Sequence, residues 1–155
     1  MPSRLIRRAD TTPTEHSAAA PWSESVEIPA GARLLYVSGQ VPPAIDPAAP
    51  IEDRAAYGDM ETQTRGVLTR LKAKLANAGY DMADCVKLQC FLVGEARFGG
   101  RPDLEGFGRA WREVFGRDDL PARTRIEVLR LMNPAWLVEI EAVAAKTGRF
   151  AGKNG

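Results

Sequence analysis

Apolar residues along this chain follow two different periods, and the periods mark the elements. Between 59 and 78 they recur at intervals of three and four. Met60, Thr64, Val67, Leu68, Leu71, Leu75 and Ala78 form one stripe, so an amphipathic helix is expected there. Asp59 stands at the N-cap position and Gly79 just past the C-terminal end. Arg65, Arg70, Lys72 and Lys74 fall away from the stripe and read as the wet face of this helix rather than as an RNA-binding face. A second helix is expected over 102–115, with Leu104, Phe107, Trp111, Val114 and Phe115 on one side. Pro102 suits a first turn, and Asp103 suits the positive end of the helix dipole. Trp111 is assigned to the core or to a subunit interface. Gly106 and Gly108 each cost about 1 kcal/mol of helix propensity. They mark either a close approach or a weak helix.

Period-two alternation marks the strands. The clearest is CVKLQCFLV, 85–93. TRIEVLRL, 124–131, sets Ile126 and Val128 against Arg125 and Glu127. AWLVEIEAVAA, 135–145, sets Val138, Ile140 and Ala142 against Glu139 and Glu141. GARLLYVSGQVP, 31–42, reads as a turn and a strand stopped by Gly39 and Pro42, and SRLIRR, 3–8, as a short first strand. WSESVEIP, 22–29, alternates only weakly. PPAIDPAAPIED, 42–53, holds four prolines in twelve residues and reads as a long loop. The expected order is strand, strand, helix, strand, helix, strand, strand. Two helices can cover one face of such a mixed sheet, giving an α+β two-layer domain. One domain is expected over 1–150, followed by a short tail, 151–155.

Composition narrows the function classes. A chain of 155 residues with 45% hydrophobic and 26% charged residues suits one globular domain. A formal net charge of +1 creates no long-range field for nucleic acid or an anionic membrane. No apolar run approaches the roughly 20 residues of a membrane span. The basic start MPSRLIRRAD has no apolar stretch after it, so cytoplasm is the default location. Cys85 and Cys90 are five apart in an alternating stretch, which predicts opposite strand faces and no local disulfide. They do not form CxxC, and the single His16 leaves little for a zinc site. Glycine-rich phosphate loops, HExxH and GxSxG are absent from the sequence. Ser38 lacks an evident histidine partner, and Cys90 reads as a half-buried structural cysteine.

The residues with chemistry to offer are Arg123, Glu139 and Gly39. Arginine presents a fork that matches a carboxylate with two hydrogen bonds. A partly buried glutamate can handle a proton, and a glycine lets backbone approach a ligand. An edge ion pair between the last two strands is the plainer reading of the two charges.

Five blocks in order, VSGQVP, ETQTRGVLTRLKAKLANAG, DCVKLQCFLV, PARTRIEV and VEIEAVA, resemble the RidA (YjgF/YER057c/UK114) family of reactive imine and enamine deaminases. The resemblance spans roughly residues 4–145. It implies a chorismate-mutase-like fold, a homotrimer, and ligand clefts between subunits. Carried onto this chain, it makes Arg123 the carboxylate receptor, Glu139 the residue that positions water, and Gly39 the pocket glycine. It implies hydrolysis of 2-imino or 2-enamine acids such as 2-aminoacrylate to 2-oxo acids and ammonia, without a metal or organic cofactor.

The chain also departs from the pattern. The block usually written GPYSQ is APWSE here, so Trp22 replaces a pocket tyrosine. Gly108 stands where the family brings an asparagine, and Arg125 where a small residue or cysteine is usual. Both are expected to line the cleft and to favour a different or broader substrate set. The alternative is a non-catalytic trimer that binds a small carboxylate in a regulatory or accessory role. A ribonuclease reading gains little from near-neutral charge and a single histidine.

Overall fold

The computed structural model describes residues 4–9, 20–116 and 118–148. His16 and the 151–155 tail lie outside them. The described strands are β1 (Ile6–Arg8), β2 (Ser25–Glu27), β3 (Arg33–Gln40), β4 (Cys85–Val93), β5 (Ala122–Val128) and β6 (Val138–Lys146). The helices are α1 (Met60–Asn77) and α2 (Leu104–Val114). The main sheet has the order β3-β6-β4-β5, and β1 and β2 form a separate antiparallel pair. β3 and β4 run antiparallel to β6, whereas β5 runs parallel to β4 because α2 carries the chain back between them. This is the expected α+β two-layer arrangement, with both helices on one face of a mixed sheet. No described helix is long and apolar enough to cross a membrane.

α1 follows its stripe. Met60, Thr64, Val67, Leu68, Leu71 and Leu75 are buried, and Asp59 Oδ1 accepts a hydrogen bond from Thr62 N at 2.9 Å. Gly79 takes the left-handed conformation, φ 81°, that ends the helix. Ala78 is exposed, because the stripe has run past the sheet. The pattern missed Gln63, which is fully buried. Its Nε2 donates to Gly58 O and Ala135 O at 3.0 Å, and its Oε1 accepts from Leu137 N at 2.7 Å. A buried amide survives here because it satisfies backbone groups at the entrance to β6 that water cannot reach. The basic side chains of α1 are exposed, as expected, and Arg65 pairs with Glu61 and Glu113.

α2 begins at Leu104, two residues later than the pattern suggested, because Asp103 serves as the cap and accepts from Gly106 N at 2.9 Å. A Cβ on Gly106 would press on that carboxylate, which accounts for the first helix glycine. Trp111 is core: fully buried, stacked with Phe107 at 5.8 Å and packed on Phe115 at 4.3 Å.

Three strands precede α1 rather than two, since the weak alternation around 25–27 is β2. β5 ends at Val128 instead of 131, and β6 starts at 138 instead of 135. The turn between them is longer because Asn133 folds it locally, its Oδ1 accepting from Ala135 N and its carbonyl from Trp136 N. The cysteine expectation is corrected too. Cys85 pairs with Ala144 and Lys87 with Val143, so Val86 is an extra residue that resets the alternation. Both cysteines therefore face the helices, buried and free.

The backbone hydrogen bond from Thr62 holds the Asp59 carboxyl below its usual range. A lowered folded-state pKa means stability that is complete above the unfolded-state value and is lost as pH falls through the lowered one. Asp59→Ala is expected to cost about 1 kcal/mol at neutral pH. Urea melts should show that deficit shrinking in acid; a deficit independent of pH would contradict the capping role.

Candidate functional site

The segment before β2 delivers a tryptophan to β5. Ser23 forms a parallel bridge with Ala122, its amide donates to Pro121 O at 2.9 Å, and its hydroxyl donates to Leu120 O at 2.7 Å. Trp111 Nε1 donates to Pro21 O at 2.9 Å from the other side. Trp22 is thereby held over Arg123, whose guanidinium carbon lies 4.6 Å from the Trp22 ring, 4.5 Å from Trp111 and 5.6 Å from Phe107. Among the described residues no carboxylate or carbonyl accepts from this guanidinium. Burial, reinforced by the charge of Arg125, pushes the Arg123 pKa down to about 10. It remains a cation at neutral pH, steadied by ring faces and short of acceptors. Such a group has the chemistry to receive an anion. Sequence reading named Trp22 and Arg123 separately. Phe107 and Trp111 were placed on one face of α2, with Trp111 assigned to the core or to a subunit interface, and neither was connected to Arg123.

Arg125 lies on the same sheet face. Arg123 pairs with the helix-facing Leu88, and Arg125 with Cys90. Its guanidinium carbon is 5.7 Å from the Phe107 ring, and the residue is exposed. Gly108 sits beside Phe107 on α2. A Cβ there would come within 3.2 Å of Arg112 Nη1, so this second helix glycine leaves space for the exposed Arg112 side chain. Cys90 is fully buried beneath the two β5 arginines, and burial pushes its thiol up to about 12. That suits the structural reading and leaves little thiolate at neutral pH.

Glu139 and Gly39 come together elsewhere. β3 bulges against β6: Val37 pairs with Ala142 and Gln40 with Ile140, leaving Ser38 and Gly39 opposite Glu141 alone. A Cβ on Gly39 would overlap the Glu139 carboxylate, so the glycine makes room for the acid. Glu139 pairs with Phe91 on β4, one step out of phase with the helix-facing Cys90 and Leu92. Within one protomer, Glu139 and Arg123 therefore point to opposite faces of the sheet. The Glu139 face also carries a groove of about 330 Å³ lined by Tyr36, Ser38, Lys87, Gln89, Glu141 and Val143, which the sequence did not reveal.

Residues 12–146 match the family model described as endoribonuclease L-PSP. The chain belongs to the RidA/YjgF/UK114 family. It is 34% identical over 126 residues to a RutC family protein of Pyrococcus horikoshii, covering 81% of this chain and 87% of that one. It is 33% identical over 144 residues to the protein DfrA of Myxococcus xanthus, covering 91% and 97%. Among solved structures, a Rid family protein of unknown function, YyfB from Yersinia pestis, superposes with a TM-score of 0.70 at 28% identity, covering 92% of this chain and 98% of that one. A YjgF/YER057c/UK114 family member from Mycobacterium tuberculosis superposes with a TM-score of 0.55 at 26% identity, covering 91% and 98%. Members of the RidA/YjgF/UK114 family thus share the fold along nearly the whole chain.

Holding a cation out of water without a counter-charge costs stability. Arg123→Met is expected to leave the melting temperature of the free protein unchanged or higher. Small carboxylates are expected to raise the melting temperature of the parent protein, and Arg123→Met to abolish that shift. A fall of several degrees in the free variant would show instead that Arg123 is a structural strut.

Proposed function

We propose that the protein hydrolyses small 2-imino and 2-enamine acids to 2-oxo acids and ammonia, at clefts formed where copies of the chain meet. The observation that carries this reading is Arg123, a desolvated cation caged by three aromatic rings and left without an acceptor. A planar carboxylate supplies what that fork lacks. An imine beside the carboxylate is already electrophilic, so the protein supplies orientation and a route for protons. Water adds to the imine carbon, the nitrogen takes up a proton, and the carbinolamine collapses to the ketone as ammonia leaves. Glu139 orients and deprotonates that water, and the Gly39 backbone lies against the substrate. β5 is an edge strand, so carbonyls on its outer side, near Arg125, are available to the departing nitrogen.

Arg123 and Glu139 serve one substrate only if they come from different protomers. The bare sheet face supports that assembly. It presents Tyr36 at 75% exposure beside Val143 on the adjoining strand, and Ile126 stands exposed at the opposite edge of the same face, apolar side chains that water covers poorly. A homotrimer is the assembly we assign, in which this face packs against neighbouring copies and brings Glu139 of one protomer toward Arg123 of the next.

The test is a coupled assay on 2-imino acids generated in situ by an amino-acid oxidase, with native mass spectrometry of each variant. Arg123→Ala is expected to lower kcat/KM by about 100-fold or more, and Glu139→Gln to lower kcat by about 100-fold, both with the oligomer intact. Gly39→Ala should mimic Glu139→Gln by displacing the carboxylate. Carboxylate binding by the parent protein without turnover would favour the accessory-protein reading. Full turnover by Arg123→Ala would overturn the assignment of the site.

A further inference from the structure

Arg123 is not the only guanidinium at this site without a counter-charge. Arg125 follows it on the same face of β5, about 6.7 Å further along the strand. Arg112 reaches back along α2 until its Nη1 lies within 3.2 Å of the Cβ position of Gly108. Phe107, the neighbour of Gly108, is the ring that both β5 arginines approach. Three cations thus border one patch of α2. Among the described residues, neither the Arg112 nor the Arg125 side chain forms an ion pair or a hydrogen bond. The carboxylate on the same face of β5, Glu127, is engaged by Arg101 at 3.3 Å. The other arginines of α1 and α2 all find acceptors. Arg65 and Arg109 both reach Glu61, Arg65 also reaches Glu113, and Arg70 donates to Val41 O. Arg112 and Arg125 are given none. The charge of Arg125 also contributes to the lowered pKa of Arg123, so the two cations repel each other.

We propose that the ligand of this site carries two anionic groups: one carboxylate held by Arg123 in its aromatic cage, and a second anionic group held by Arg125 and Arg112 across the face of Gly108. The proposal rests on the reading of Arg123 as a carboxylate receptor. A chain of four or five carbons sets two carboxyl carbons about 4–5 Å apart when extended, which suits two guanidiniums at strand spacing. Gly108 supplies the space, because any side chain there would compete with Arg112 for the same surface. Arg123 is rigidly packed and desolvated, whereas Arg125 is exposed. The first carboxylate is therefore recognised by geometry, and the second mainly by charge, with a salt-dependent contribution.

Two five-carbon 2-oxo acids that differ only in the distal group provide the test: 2-oxoglutarate and 2-oxopentanoate. Binding of each is measured by calorimetry at low and high salt. 2-Oxoglutarate is expected to bind at least tenfold more tightly, with the margin narrowing as salt rises. In the double variant Arg112→Gln, Arg125→Gln the margin should collapse to about twofold. Lys72→Gln, which removes one positive charge from the wet face of α1, should keep it. Thermal melts establish that each variant is folded. Equal affinities in the parent protein, or a preference that survives the double variant, would overturn the proposal. Imine turnover separates this from the deaminase reading. A diacid preference without turnover on imines made from glutamate or alanine supports the two-anion site and removes the enzyme. Turnover with equal affinities supports the enzyme and removes the two-anion site.

Discussion

The parallel pairing of β4 with β5 is the constraint on which the rest of the site depends. Parallel neighbours cannot be joined by a tight turn, so α2 must cross over the sheet to bring the chain back. That crossing lays Phe107 and Trp111 over the last strand of the sheet. The register, Leu88 against Arg123 and Cys90 against Arg125, then sets both arginines on the helix side of the sheet, Arg123 packed under α2 and Arg125 at its exposed margin. Ser23, bridged to Ala122, closes the same edge with Trp22. Aromatic rings surround Arg123 because a helix needed an apolar face and an edge strand presented a cation to it.

The second constraint is the bare side of the sheet. Two helices cover one face only, and the acid lies on the other. The bulge at Ser38 and Gly39 opens the backbone there, and the Glu139 carboxylate occupies the space a Cβ would need. On the proposed reading, a protomer alone holds two half-sites back to back, and copies that meet at the sheet face, where Tyr36 is exposed, join them. Assembly and chemistry share one surface in this reading, so a change that weakens packing there would reach the chemistry as well.

Arg123 carries a cost that the fold does not offset internally. Cation–π contacts of this kind contribute about 0.5–2 kcal/mol each, less than full hydration of a guanidinium. Sites of this type are held at the expense of stability, and a bound anion relieves the strain. Trp22 lays its ring over the cation. Arg112 and Arg125, set around Gly108, add further positive charge at the edge of that cage.

Local sequence was enough for the parts whose periodicity depends on near neighbours. The α1 stripe, its Asp59 cap and Gly79 terminator, the nine residues of β4, and the inward run of Val138, Ile140 and Ala142 all emerge from spacing. The order of blocks sufficed to place the chain in its family and to nominate Arg123, Glu139 and Gly39. The three-residue β2, the burial of Gln63 and the common face of Cys85 and Cys90 were decided elsewhere. Each depends on a partner far along the chain: β1 for β2, the entrance of β6 for Gln63, and a one-residue bulge against Ala144 for Cys85. The opposition of Arg123 and Glu139 is of the same kind. Period two fixes alternation within a strand, but which face is covered is set by strand order, bulges and the path of a crossover helix, and those exist only once the sheet has formed.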